Sequence, residues 1–258
     1  PTVTGPVTST GDSGGAKSNK FTANAGGIVA TSPRESLPRV SALSLYYQAK
    51  SHPESLSSWY DLCTDGDVRA YGSSGPCTGT LLNSDGSGGY VSPFRGWELD
   101  SHTWTATRDA LSGTYFAYQA NITSGNGNAT FSNFTVIASA LNPDDCATKQ
   151  YGTITWDHYA IDAPAYPNLW MYADSDLVTT PNFTAGHGIS APPVVSGMFV
   201  AGDQIHMETS SQGAVGAVSA SDQCESPLGS TDPPTEPGRG LITTNEIKNP
   251  EIYYDPNS

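Results

Sequence analysis

Apolar side chains return at every second position in one segment after another, and turn residues fall between the segments about every ten residues. Leu43, Leu45 and Tyr47 alternate with Ser44 and Tyr46, which predicts a strand over Ser41–Tyr47. In Thr114–Thr123, Phe116, Tyr118, Ala120 and Ile122 share one face, while Tyr115, Gln119 and Asn121 share the other. The turn Ser124-Gly-Asn-Gly-Asn128 leads into Ala129–Ala140, where Phe134, Val136 and Ala138 alternate with Phe131, Asn133 and Thr135. Together these predict a β-hairpin with a Gly/Asn loop. Further strands are expected at Gly152–Ile161, Asn168–Ala173, Val194–Val200, Gln204–Thr209 and Ala214–Ser219. One segment reads differently: Ser51 can cap, Pro53 opens a first turn, and Glu54 has capping-box spacing. Leu56, Trp59, Tyr60 and Cys63 follow as one apolar stripe, predicting a short helix over Pro53–Leu62.

The ends of the chain break this pattern. Residues 1–20 contain only Val3 and Val7 as β-branched apolar residues and read as an extended Thr/Ser/Gly-rich arm that cannot bury enough surface to order itself. Ser226–Gly240 is rich in Pro, Gly and Ser and reads as a linker, and 241–258 regains apolar character as a strand-like tail. The expected organisation is therefore an arm (1–20), a domain over 21–225 with its core from about Phe21 to Cys224, a linker (226–240) and the tail. Without long helices or a visible repeat, the fold class that fits is all-β: an antiparallel β-sandwich or jelly-roll-like domain with one short helix and extended terminal segments.

Composition narrows the setting. The 258 residues carry a net charge of −14, and only 14% of them are charged; 31 Ser and 27 Thr supply much of the polarity. Between Lys149 and Arg239 lie 89 residues with no Lys or Arg and ten acids. Nucleic acid and anionic membranes are excluded as partners, because both are held by clustered basic side chains. No apolar run reaches the ~18 residues of a membrane span. Cys63, Cys77, Cys146 and Cys224 are too widely spaced for a C-x-x-C site, so two disulfides are expected, Cys63–Cys77 and Cys146–Cys224, in an oxidising compartment. Four N-x-T sequons, at Asn121, Asn128, Asn133 and Asn182, agree with secretion and point to covalent glycans. The chain opens on Pro1 with no basic or apolar leader, so any signal peptide is expected to have been removed or to lie outside this numbering.

Candidates for chemistry are sparse. Gly11-Asp-Ser-Gly-Gly15 is similar to the segment around the nucleophile of chymotrypsin-like serine proteases. In that family a histidine and an aspartate precede the serine, whereas here ten residues precede Gly11 and none is His, so Ser13 reads as a linker residue. His52, His102, His158, His187 and His206 have no partner at metal-ligand spacing, and neither a metal nor a cofactor is expected. Asp65/Asp67, Asp85 and Asp174/Asp176 lie in oxygen-rich turns of the kind that also hold calcium, without EF-hand spacing. A jelly-roll glycoside hydrolase would draw its carboxylates from Glu98 and Glu208, with Asp157 in reserve. A lectin would use Trp97, Trp104 or Trp170 as an exposed platform, leaving Trp59 and Trp156 in the core.

Terminal extensions, strand edges, disulfides and a hydroxyl-rich surface together suit a secreted, non-enzymatic structural glycoprotein. Its expected partners are copies of itself, assembled by terminal strand exchange into an extracellular filament or cell-surface layer. The alternative is a carbohydrate-active sandwich, either lectin or hydrolase.

Overall fold

The computed structural model describes residues 41–126, 129–156, 159–161, 163–179, 195–208 and 213–220, together with short strands at 2–4, 7–8, 22–23, 28–29, 242–245 and 251–253. Its strands run predominantly parallel, which overturns the antiparallel sandwich. The chain alternates between a long sheet of ten strands and a short sheet of seven. The first circuit takes Trp59–Leu62 in the long sheet and Thr103–Ala106 in the short one; the chain then returns at Gly113–Ala117 and crosses again at Asn121–Ser124 in the second. The same alternation continues through Phe134–Ala138, Ile154–Trp156, Leu169–Ala173, Leu177–Thr179, Val195–Ala201, Ile205–Glu208 and Gly213–Ala220. Twice it also passes through a third strip, where Ala129–Phe131 pairs in parallel with Tyr159–Ile161. Each circuit stacks on the one before, so the molecule is a parallel β-solenoid.

Register makes the coil visible in side chains. In the long sheet Ala117, Ala138, Ala173 and Ala201 stand opposite one another, and all four are fully buried. In the short sheet Trp104, Ile122, Ile154, Leu177 and Ile205 form one inward row, none more than 2% exposed. Between the sheets aromatic rings fill the bore: Trp97 stacks on Phe134 at 6.1 Å, Phe131 on Phe134 at 4.6 Å, and Tyr115 lies 4.8 Å from Trp97.

The hairpin expected from 114–140 is therefore a parallel pair. Thr114 stands opposite Thr135 and Ala117 opposite Ala138, with two short strands carrying the chain around the coil between them. The division into two unlike faces fails for a physical reason. Phe116 and Ile137 point out of the bore but are covered by a helix, so Gly113–Ala117 and Phe134–Ala138 are buried at every position. Strands covered on both faces carry no period-two signal.

That helix, α1, spans Ala42–Gln48, where the alternation of Leu43, Leu45 and Tyr47 predicted a strand. Its buried side is marked by Ala42, Tyr46 and Ala49, spaced four and then three apart, all at 0% exposure against Trp59, Phe116 and Ile137. Ser41 caps it, its Oγ accepting from the Ser44 N–H at 3.1 Å. The segment expected to be helical instead makes a 3₁₀ turn over Pro53–Ser58 and then enters the long sheet at Trp59. Trp59 contacts the helix layer and Leu62 the bore, so the apolar stripe belongs to a strand buried on both sides.

Antiparallel strands close the leading edge of both sheets. Val68–Ala70 covers Trp59–Leu62, and Trp97–Asp100 covers Thr103–Ala106. At the trailing end Ile242–Asn245 adds to the short sheet and Glu251–Tyr253 to the long one. The arm pairs there too, Thr2–Thr4 in parallel on Glu251–Tyr253 and Thr22–Ala23 on Thr2–Thr4.

Because Ile154 is at the centre of the inward row, Ile154→Ala should destabilise the protein by about 2–5 kcal/mol. Urea melts of the purified chain would show this as a lower midpoint at an unchanged slope.

Candidate functional site

The densest polar chemistry lies where the chain turns from the long sheet into the short one. These corners stack as the strands do: the N–H groups of Tyr118, Ser139, Asp174 and Gly202 donate to the carbonyls of Leu62, Ala117, Ala138 and Ala173. Gly202 has to be glycine, because a Cβ there would sit 2.0 Å from the Asp174 carbonyl oxygen.

Asp174 is the organiser of the corner. Its Oδ1 accepts from the Ala42 N–H at 2.6 Å and its Oδ2 from the Ala140 N–H at 3.0 Å, so one carboxylate fixes the start of α1 and the third circuit at once. Lys149 reaches in from the loop between Phe134–Ala138 and Ile154–Trp156, within the third circuit. Its Nζ donates to the Asp174 carbonyl oxygen at 2.7 Å and to Asp203 Oδ2 at 2.8 Å. Both side chains of that pair are nearly sealed from water, 5% and 9% exposed. Asp176 completes the group, its Oδ1 accepting from the Gln204 N–H at 3.2 Å. Burial pushes the carboxyls of Asp174 and Asp176 up to about 6, and the Asp203 charge pushes both in the same direction. Beside the corner opens a cleft of about 510 Å³, bounded by Leu43 of α1, by Tyr118, Gln119 and Ser139, and by Asp145 and Asp174.

A second buried carboxylate, Asp61, ties α1 to the disulfide loop. It accepts from the Tyr46 hydroxyl at 2.8 Å, the Trp59 indole N–H at 3.0 Å and the Cys77 N–H at 2.9 Å, and burial pushes it up to about 6. Burial also raises the Tyr46 phenol far above its ordinary value.

Several expected sites resolve differently. Trp97, Trp104 and Trp170 are 1%, 2% and 1% exposed, so none is a platform, while Trp59 and Trp156 are core residues as expected. Glu98 and Glu208 lie in one sheet with four strands between theirs. At about 4.8 Å per strand that places them roughly 24 Å apart, far beyond the ~5–9.5 Å that two glycosidase carboxylates span. Asp157, His158, His187 and Ser13 lie outside the described residues.

Cys63 is bonded to Cys77. Cys146 is also disulfide-bonded; Cys224, its expected partner, lies outside the described residues. Of the sequons, Asn133 is exposed, whereas Asn121 is half-buried with its Oδ1 accepting from the Thr153 N–H at 3.1 Å; Asn128 and Asn182 lie outside the described residues. The turn acids are engaged locally. Asp65 accepts from the Asp67 N–H, Asp67 pairs with Arg69, and Asp85 accepts from the N–H groups of Ser87 and Gly89. Among the described residues no three His, Cys, Asp or Glu side chains are grouped to hold a metal ion.

Sequence reasoning missed the Lys149–Asp203 pair, since 54 residues separate the two. The available signal was Lys149 itself, the last basic residue before a long run without any. Comparison with family models, with curated proteins and with solved structures gives no match.

Three acids with raised pKa values, Asp61 and Asp174 buried and Asp176 half-buried, reverse the usual acid response. Below pH ~4 they are protonated in both folded and unfolded chains. As pH rises toward 6 the unfolded chain releases protons that the folded chain retains, so stability falls. Each group contributes up to about 3 kcal/mol to this loss. Urea midpoints should therefore be higher at pH 5 than at pH 7.5, and Asp61→Asn should reduce the difference.

Proposed function

We propose that the protein is a secreted structural glycoprotein, a self-assembling subunit of an extracellular filament or cell-surface layer joined through its terminal strands. The observation that carries this reading is the polarity of the solenoid. Its leading edge is closed by antiparallel strands, while its trailing end is built from parallel strands contributed by the tail and the arm. Among the described residues nothing pairs with the far edge of Ile242–Asn245, and an open parallel edge is a template for another strand.

The arm's place supports exchange. Thr2–Thr4 joins the sheet through main-chain pairing in register with Glu251–Tyr253, and the same register accepts the arm of a neighbouring copy equally well. A head-to-tail contact of this kind yields a filament when its symmetry does not close. The Cys63–Cys77 disulfide fits an oxidising compartment. The acidic, hydroxyl-rich composition discourages non-specific adhesion.

Negative-stain microscopy and light scattering over a concentration series should show the intact chain forming fibres. A chain lacking residues 1–20 should remain folded by far-UV circular dichroism but stay monomeric. Intact protein that is monomeric at every concentration, or fibres that persist without the arm, would refute the proposal. In protein from its native source, glycopeptide mass spectrometry should find Asn133 occupied and Asn121, whose amide oxygen is engaged, occupied to a smaller extent.

A further inference from the structure

We infer that Lys149 and Asp203 are a site of spontaneous covalent cross-linking, forming an amide between the lysine Nζ and the aspartate Cγ. Three observations made at the corner converge on this. The first is proximity: Nζ is held 2.8 Å from Asp203 Oδ2. Attack on a carboxyl carbon requires the nitrogen at roughly 3–3.5 Å over the face of the carboxyl, and a nitrogen already 2.8 Å from one of its oxygens has only a short move onto that face to make. Its direction is also fixed, because the Asp174 carbonyl holds Nζ from another side at 2.7 Å. The second is dryness, with both side chains less than a tenth exposed, which limits the competing return of water to the carbonyl.

The third observation is an adjacent proton carrier. Asp176 is anchored to the N–H of Gln204, the residue after Asp203, the charges of Lys149 and Asp203 both act on it, and burial makes its carboxylate a better proton acceptor than an exposed aspartate. The step balances without an outside reagent. The Lys149 ammonium gives one proton to Asp176, and the freed lone pair on Nζ attacks Asp203 Cγ. Nζ loses a second proton as the Nζ–Cγ bond forms, and the Cγ–Oδ2 bond breaks. The departing oxygen takes up both protons, one of them returned by Asp176, and leaves as water. An ammonium and a carboxylate become one amide and one water, and nothing is oxidised or reduced.

The bond would tie the loop within the third circuit to the corner of the fifth, across the corner of the fourth. A solenoid is otherwise held by contacts between neighbouring turns alone. The inference does not depend on the proposed assembly, since it concerns a single chain.

Intact-mass measurement of the denatured, reduced, de-N-glycosylated chain should give a value lighter by one water than the sequence mass with each formerly glycosylated Asn counted as Asp. Trypsin, which otherwise cuts after Lys149, should leave residues 109–239 as one piece carrying that loss, because no other Lys or Arg lies between Arg108 and Arg239. Aspartyl-glycine dehydration gives the same mass change, but Asp65-Gly66 and Asp85-Gly86 both lie outside that piece. Lys149→Arg should show the full mass, and Asp176→Asn should show a large fall in the cross-linked fraction, each with circular dichroism and the Cys63–Cys77 bond unchanged. The full sequence mass in the parent chain after prolonged incubation from pH 5 to pH 8, or a lost water mapped elsewhere, would overturn the inference. An Asp176→Asn chain cross-linked as fully as the parent would overturn the role given to Asp176.

Discussion

Parallel main-chain pairing between successive circuits is the constraint on which the rest of this structure depends. Parallel neighbours cannot be joined by a tight turn, so each strand of the long sheet has to be reached by a full excursion through the short one. That excursion brings the same corner back at each level and stacks residues distant in sequence, such as Ala117, Ala138, Ala173 and Ala201. The stacked corners then do what no single turn could. They line up main-chain donors from one level to the next and create a sheltered place where Asp174, Lys149, Asp203 and Asp176 meet.

Burial sets the character of that meeting place. A carboxylate removed from water is costly unless it is bonded, and Asp174 and Asp61 meet the demand with main-chain N–H groups, a phenol and an indole. Both carboxylates receive bonds at the two ends of α1, Asp174 from Ala42 and Asp61 from Tyr46. They act as the polar fasteners of an otherwise apolar layer of Tyr46, Trp59, Phe116 and Ile137.

Strand positions were largely legible in the sequence, and strand direction was not. The segments around Ile154, Leu169, Val195, Ile205 and Ala214 fall where period-two patterning put them. Patterning says which residues alternate, but not whether the next strand returns antiparallel or circles round. The repeat was hidden because circuits differ in length: members of the alanine row recur at intervals of roughly 20 to 35 residues. The helix at Ala42–Gln48 was disguised by Leu43, Leu45 and Tyr47, while its true seat is marked by the small residues Ala42 and Ala49, which carry little weight in a hydrophobicity pattern. The corner cluster was unreadable for the opposite reason, since its members come together only through register across three circuits. The local disulfide Cys63–Cys77, by contrast, needed only short-range proximity and was visible from spacing alone.

The position of α1 bears on the order in which the molecule is made. The helix precedes every circuit in the chain, yet its seat includes Asp174 and Val200, from the fourth and fifth circuits. A chain leaving the ribosome from its N-terminus can close the leading edge and stack its early turns one upon another as they appear. Throughout that period the apolar outer face of the long sheet, with Phe116 and Ile137, lacks a complete cover. An element made early is thus among the last to be locked, and a chain stopped short of residue 174 leaves that aromatic surface, of the kind that chaperones bind, incompletely covered.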